Sequence, residues 1–88
     1  MRDLTRIKRW SVVQVSWVDS EQSVSGWVPV TDIPRESVPC VSVGYLVRQT
    51  EDYIALSMSY DEQNENIMGW HTIPKVAITG VDVLQLGP

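Results

Sequence analysis

A two-residue alternation of side chains constrains this chain more than any other feature of its sequence. Within residues 41–83 the clearest example is the run 53–60, where Ile54, Leu56 and Met58 are predicted to face one way and the small or polar residues between them the other. A period of two is typical of a strand that is buried on one face, whereas a helix would distribute the same residues around its axis. The sequence therefore predicts extended structure here.

Further apolar runs continue this pattern into an antiparallel meander. The first three runs lie at residues 41–47, 53–60 and 67–73, with polar connections at 49–52 and 61–66 between them. Residues 76–78 and 81–86 together supply the last strand. Pro74 cannot donate to a strand ladder, so the third strand is expected to end or bend there. Gly80 is expected to mark a bend or bulge in the last strand.

The residues upstream of the meander predict one long strand followed by an irregular connection. In the run 10–19, the side chains of Val13, Val15 and Trp17 share one face of the predicted strand. The run 24–30 is expected to form a short returning strand, and its proline confines that strand to an edge or ends it.

Together these elements predict an all-β fold: a small five-stranded, strongly bent antiparallel sheet or barrel. A chain of 88 residues is the size of one domain, and we divide it into a basic N-terminal arm at 1–9 and a single β domain at 10–88. Helix-start chemistry is present only near residues 31–37, where Thr31 or Asp32 can cap one short turn. At most one short helical turn is therefore predicted.

Charge is unevenly distributed along the chain, whose net charge is −4. The arm at 1–9 holds four basic side chains against one acidic, whereas residues 10–88 hold three basic against ten acidic. A general nucleic-acid binder usually presents a basic face, so nucleic acid is the less expected partner. The arm itself is interpreted as a solvated terminus, with a phosphate backbone or the acidic surface of a neighbouring subunit as alternatives.

The expected location is the cytoplasm, with no membrane association. Cys40 is the only cysteine, so a disulfide within the chain is impossible, which suits a reducing compartment. No apolar segment is long enough to cross a bilayer, and the basic N-terminal residues are followed by a strand-like pattern rather than by the apolar region of an export signal.

Catalysis is poorly supported, and no cofactor or metal is expected. The chain has one histidine, His71, and it lacks Gly-rich phosphate loops and nucleophile-elbow motifs. No second histidine or nearby cysteine is available to complete a metal site with His71. A surface or half-buried histidine is the simpler interpretation of that residue.

Aromatic composition points to binding. The sequence has four tryptophans and three tyrosines but no phenylalanine, and Trp and Tyr are enriched at binding surfaces whereas Phe mainly fills cores. The alternative is that the tryptophans fill the core themselves. If Ile73 faces inward, Trp70 faces outward. Aromatic stacking combined with a cation for an anionic group then predicts six ligand-binding residues: Trp27, Tyr45, Arg48, Trp70, His71 and Lys75.

Part of the meander resembles the strand pattern of Sm-like and SH3-like small barrels. The residues that carry the resemblance are Gly44-Tyr45-Leu46, Asp52-Tyr53-Ile54-Ala55-Leu56, Gly69 and Ile73. It implies a barrel of five strands. The residues with which Sm-like proteins contact RNA are not matched, because Tyr53 and Ile54 follow Asp52 and no Arg-Gly pair precedes the last strand.

The chain is also similar to small accessory proteins of tailed bacteriophages. The residues concerned are Trp17-Val18-Asp19-Ser20, Gly26-Trp27, Val43-Gly44-Tyr45-Leu46-Val47, the run 52–57, Ile73-Pro74-Lys75 and Ile78. This resemblance implies expression in an infected bacterium and binding of a host factor or a defence signal without catalysis.

Three hypotheses for the function follow. The first is a non-catalytic phage accessory module that binds a small anionic, nucleotide-like ligand or a host protein. The second is a nucleic-acid-binding barrel that uses the basic arm, and the third is a structural protein that only self-associates. A homo-oligomer is expected because a small sheet exposes unpaired edges.

Overall fold

The computed structural model describes residues 4–19, 27, 29–32 and 38–88. Within these residues the chain forms five strands and two 3₁₀ turns. The strands are β1 (Val12–Asp19), β2 (Val38–Gln49), β3 (Tyr53–Asp61), β4 (Asn66–Pro74) and β5 (Ile78–Gln85), and the turns are Val30–Asp32 and Lys75–Ala77. The predicted all-β class is confirmed.

All strand pairs are antiparallel and form one sheet in the order β4-β3-β2-β1-β5. The first strand thus lies between β2 and the last strand, while β4 and β5 are the two edges. Of the two forms predicted, the open bent sheet is the one found, because these edges do not pair and the sheet does not close into a barrel.

Strand β2 bends because it belongs to two halves of the sheet. It pairs with β1 from Val38 to Tyr45 and with β3 from Tyr45 to Gln49. The register shifts between Leu46 and Arg48, which leaves one extra residue as a β-bulge, and a bulge bends its strand. At Gly44 a Cβ would lie 2.8 Å from the Ser57 carbonyl oxygen, so this close backbone approach requires glycine.

One apolar cluster joins residues from all five strands. Its buried members are Leu4, Val13, Val15, Leu46, Ile54, Leu56, Ile73 and Val81, and Trp17 packs against them. The sheet must curl to bring β4 and β5 into one cluster, since they are its opposite edges. The turn Lys75–Ala77 contacts both β1 and β3 and so bridges this curl. The predicted inward face of Val13, Val15 and Trp17 is confirmed.

The predicted inward position of Met58 is wrong. Its side chain is 68% exposed, whereas Ala55 and Ser57, which the alternation places on the outer face, are both buried. Pairing of β3 with β2 ends at Ser57, so Met58 lies beyond the part of β3 that has strands on both sides. Ala55 and Ser57 face away from the core as predicted, but they are buried because each is a small residue between larger neighbours on β2 and β4.

Other local predictions are confirmed where the structure describes them. Strand β4 ends at Pro74 and a turn follows, and the β1–β5 register shifts beside Gly80. A turn begins the helical stretch predicted at 31–37, although residues 33–37 lie outside the described residues, as does most of the strand predicted at 24–30.

The N-terminal segment packs on the sheet from Leu4 onward. Leu4 is buried, and its carbonyl oxygen accepts a hydrogen bond of 2.9 Å from the Gln49 side-chain amide. The Trp10 N–H donates to the Leu46 carbonyl oxygen at 2.7 Å, and the Leu46 N–H donates to the Ser11 carbonyl oxygen at 2.8 Å. The segment is therefore tied to β2 just ahead of β1. None of the helical segments described has the length and apolarity to traverse a bilayer.

Candidate functional site

A groove of about 550 Å³ lies on the face of β2, β3 and β4 that is turned away from the core. We call it the arginine–aromatic groove, and its lining consists of Arg9, Trp10, Val47, Arg48, Tyr53, Ala55, Glu65, Ile67, Trp70 and Thr72. Ligand pockets in proteins usually have volumes of about 300–1,000 Å³. The groove is therefore large enough for a small organic molecule.

Two rows of cross-strand neighbours lie on this face of the sheet, and four of their six residues, Arg48, Ala55, Thr72 and Trp70, line the groove. Arg48, Ala55 and Thr72 make one row and Tyr45, Ser57 and Trp70 the other, because directly paired residues of antiparallel strands share a face. In both rows the β3 residue is small and buried while the residues on either side of it are larger. A small residue between two larger ones in each row leaves a depression along β3.

Trp10 and Arg9 form the wall of the groove. The Trp10 ring stacks on Tyr60 with a centroid distance of 4.4 Å and an interplanar angle of 25°. The Arg9 guanidinium carbon lies 4.6 Å from the centroid of the Trp10 ring, which is a cation–π contact. Tyr45 meets Tyr60 edge-on at 4.8 Å. Aromatic contacts from Tyr60 of β3 and Tyr45 of β2 therefore support the wall.

The backbone of the wall is strained and held from two sides. Trp10 has a φ of 69°, a left-handed conformation that is rare for bulky residues and costs on the order of 1–3 kcal/mol. The two hydrogen bonds with Leu46 hold it on one side. On the other side the Gly87 N–H donates to the buried Ser11 hydroxyl at 2.9 Å. Such strain persists where the surroundings over-determine a conformation, and it recurs at binding sites.

The groove concentrates positive charge on an acidic protein. Arg9 and Arg48 are both exposed, and within the described part of the chain neither guanidinium has an ion-pair partner. Glu65 supplies the acidic side chain in the lining. Burial raises the pKa of the Tyr60 hydroxyl, and the nearby Glu62 carboxylate raises it further. A tyrosine is in any case uncharged at neutral pH, so Tyr60 behind the Trp10 ring adds no negative charge beside the groove.

The structure brings two of the six predicted binding residues into the groove, Arg48 and Trp70. Trp70 is 63% exposed and Ile73 is fully buried, so the prediction that they face opposite ways is confirmed. Tyr45 lies next to the groove, through its contact with Tyr60.

The other three predicted residues lie elsewhere. The exposed His71 is on the Ile73 side of β4, with its ring 6.2 Å from that of Trp17. Lys75 belongs to the turn after β4, where its backbone N–H donates to the Asp52 carbonyl oxygen. Trp27 is fully exposed and has no place in the groove lining.

The sequence-based prediction missed the other polar and aromatic residues of the lining, Tyr53, Glu65 and Thr72 on the hairpin of β3 and β4, and above all Arg9 and Trp10 of the wall. A signal was present, since an adjacent arginine and tryptophan precede the first strand. The contact of Trp10 with Tyr60 joins positions 50 residues apart in the sequence, and alternation within a strand carries no information about such a contact.

In the described residues, no three His, Cys, Asp or Glu side chains come close enough to hold a metal ion. Comparisons with protein-family models, with curated proteins and with solved structures find no match for this chain. The groove is therefore the feature from which a function has to be inferred.

Proposed function

We propose that this protein is a non-catalytic binding module that captures a small anionic ligand in the arginine–aromatic groove. The observation that carries the proposal is the placement of Arg9 and Arg48, free of acidic partners among the described residues, beside Trp10 and Trp70. Guanidinium groups suit planar and oxyanionic ligands, and exposed indole rings suit flat ones.

The similarity to bacteriophage accessory proteins supplies the setting of the proposal. A module of this kind acts in the cytoplasm of an infected bacterium by sequestering its ligand, and so counteracts a host defence that depends on that ligand. Sequestration needs affinity but no reactive group. The preorganised wall at Trp10 supports this role, because a site that is already held in shape loses less entropy when a ligand binds.

A fluorescence titration of the full chain with 8-anilinonaphthalene-1-sulfonate, an aromatic molecule with one anionic group, tests the proposal. We expect saturable binding of one molecule per chain, and affinity at least tenfold lower for Arg48→Gln, which is about 1.4 kcal/mol. The matched control is Lys75→Gln, which removes a cation outside the groove and should leave the affinity within twofold.

N-phenyl-1-naphthylamine, which keeps the rings but has no sulfonate, separates charge recognition from apolar adsorption. We expect it to bind at least tenfold more weakly and to be insensitive to Arg48→Gln. Equal affinity for both probes, or an unchanged affinity of the sulfonate for Arg48→Gln, would contradict the proposal. Mass spectrometry of small molecules that co-purify from expressing cells then identifies the natural ligand.

Self-association is a second candidate, and the two sheet edges favour it. Among the described residues, strand β5 pairs only with β1 and exposes Val83 and Leu84, while β4 pairs only with β3 and exposes Met68. Unpaired strands with apolar side chains are prone to pair with another chain. Sedimentation velocity over a hundredfold concentration range is the test. A monomer at every concentration would exclude this candidate and leave the groove proposal intact.

A further inference from the structure

We infer that the groove selects a nucleoside phosphate, the class of molecule that joins a flat heterocycle, a hydroxylated sugar and an anionic phosphate. The inference rests on the proposed function and specifies its ligand. It follows from four kinds of group that line one groove: two guanidiniums, flat aromatic faces, a carboxylate and an aliphatic hydroxyl.

The two arginines account for the phosphate. A guanidinium presents a rigid fork of N–H donors that matches phosphate oxygens, often with two parallel hydrogen bonds. Arg48 extends from the sheet and Arg9 from the wall, so the groove has donors on two sides. Two cations suit the charge of a phosphate monoester, which is between −1.5 and −2 near neutral pH.

The aromatic rings that line the groove account for the heterocycle. Trp70 is 63% exposed although it lies within a strand, and Tyr53 lines the same groove. Any nucleic-acid base can stack on such a ring, because every base has a flat π-face. Trp10 is already covered by Tyr60 on one face, which leaves Trp70 as the more accessible platform.

Glu65 separates a nucleoside phosphate from simpler anions. An ionised carboxylate only accepts hydrogen bonds, so it repels a ligand that offers nothing but negative charge. Ribose hydroxyls and the amino groups of bases are donors, and they can satisfy Glu65 while the phosphate meets the arginines. The Thr72 hydroxyl both donates and accepts, so it suits the same sugar.

Size and charge favour a free nucleoside phosphate over a nucleic-acid strand. A volume of about 550 Å³ greatly exceeds what inorganic phosphate needs. A strand that continued beyond the groove would cross a chain with seven basic side chains against eleven acidic ones. Polyanion binding depends on neutralising many phosphates in turn, and this surface has too few cations to do so.

Isothermal titration of the full chain tests the inference with four probes: adenosine monophosphate, adenosine, inorganic phosphate and a ten-nucleotide adenosine oligomer. We expect the monophosphate to bind at least tenfold more tightly than either adenosine or phosphate alone, because only it meets both the rings and the arginines. Guanosine, cytidine and uridine monophosphates then show how far the base matters.

Two matched pairs of variants assign the contacts. Trp70→Leu keeps an apolar side chain but removes the flat face, and we expect roughly tenfold weaker monophosphate binding. Trp27→Leu, which changes an exposed tryptophan outside the groove lining, should have no effect. Glu65→Gln should reduce the preference for the monophosphate over inorganic phosphate severalfold, while Glu62→Gln in the same hairpin loop should not.

The outcomes distinguish this inference from the proposal beneath it. If the naphthalene sulfonate binds in an Arg48-dependent manner but adenosine monophosphate binds no better than phosphate, the nucleoside assignment fails and the anion-binding function stands. If neither probe binds, both fail. Tighter binding of the oligomer with a steep dependence on salt would overturn the inference in favour of a nucleic-acid interface.

Discussion

The two faces of the sheet formed by β2, β3 and β4 share one backbone but differ in what covers them. On the core face, Leu46, Ile54 and Ile73 are almost fully buried in a cluster completed by β1 and β5. On the groove face, Arg48 and Trp70 remain exposed, and the covering segment at residues 9–11 forms a wall instead of a lid.

This difference shows how a small domain can keep an open site without losing its core. Packing against other strands stabilises the core face, whereas the groove face depends on the small residues Ala55 and Ser57 and on a wall tied to β2 and Gly87. Changes on the core face should therefore lower the stability of the whole domain. Changes at the wall should act on stability less and on ligand binding more.

Neighbouring residues of β4 give the largest expected contrast between the faces. Ile73→Ala removes a fully buried side chain, and we expect it to lower the free energy of unfolding by about 2–5 kcal/mol. Thr72→Ala, one residue away on the groove face, should lower it by less than about 1 kcal/mol. Urea unfolding followed by circular dichroism measures both.

If Ile73→Ala does not fold, Ile73→Val can be measured in its place. It should lower the free energy of unfolding by about 0.5–1.5 kcal/mol. Equal losses of unfolding free energy at positions 72 and 73 would show that the groove face is as tightly packed as the core face. The proposed difference between the two faces would then be wrong.

Two glycines test the wall. At Gly87 an added Cβ would fall on the Arg9 carbonyl oxygen and lie 2.9 Å from the Ser11 nitrogen, and these are backbone atoms that cannot move independently. Gly87→Ala should therefore lower the free energy of unfolding by about 1–3 kcal/mol and weaken binding of the naphthalene sulfonate, because the wall has to shift.

The control is Gly80→Ala, since a Cβ there meets nothing within 4 Å. We expect no loss, or a gain of up to about 1 kcal/mol from reduced freedom of the unfolded chain. Thermal unfolding measures the stability of both variants, and titration with the naphthalene sulfonate measures their affinity for the probe. If Gly87→Ala leaves stability and probe affinity unchanged, the chain end does not support the wall.

Two buried serines give the smallest expected contrast. The Ser11 hydroxyl accepts a hydrogen bond from the Gly87 N–H, so Ser11→Ala should lower the free energy of unfolding by about 1 kcal/mol. The Ser57 hydroxyl is buried without a hydrogen-bond partner among the described residues. Ser57→Ala should therefore be neutral or slightly stabilising, because it removes an unsatisfied polar group.

Denaturant unfolding of the two serine variants at equal protein concentration compares them directly. A larger loss of stability for Ser57→Ala than for Ser11→Ala would mean that the Ser57 hydroxyl has a hydrogen-bond partner. Strand β3, rather than the wall, would then contribute more to the stability of this face.

The strands were predictable because a two-residue alternation shows which face of a strand each side chain occupies. The opposite orientations of Trp70 and Ile73 follow from their spacing along one strand, and so does the inward face shared by Val13 and Val15. Met58 broke the same rule, because its exposure depends on where β3 stops pairing with β2, which is a property of two strands together.

The candidate site was only partly predictable. Arg48 and Trp70 were chosen by residue type, and they share the groove because β2 and β4 lie on either side of β3. Lys75 carries the same positive charge as Arg48, but the turn after Pro74 places it elsewhere. Residue type thus identified the chemistry of the groove, while strand order decided which residues supply it.

By itself, the sequence determined the all-β class, the strand positions and the acidic balance, because these follow from backbone geometry and composition over short stretches. Only the tertiary structure decided that the sheet stays open and that Arg9 and Trp10 meet Arg48 and Trp70 in one groove. The physical reason is that such meetings depend on long-range strand pairing and on the stacking of Trp10 against Tyr60, which no local pattern encodes.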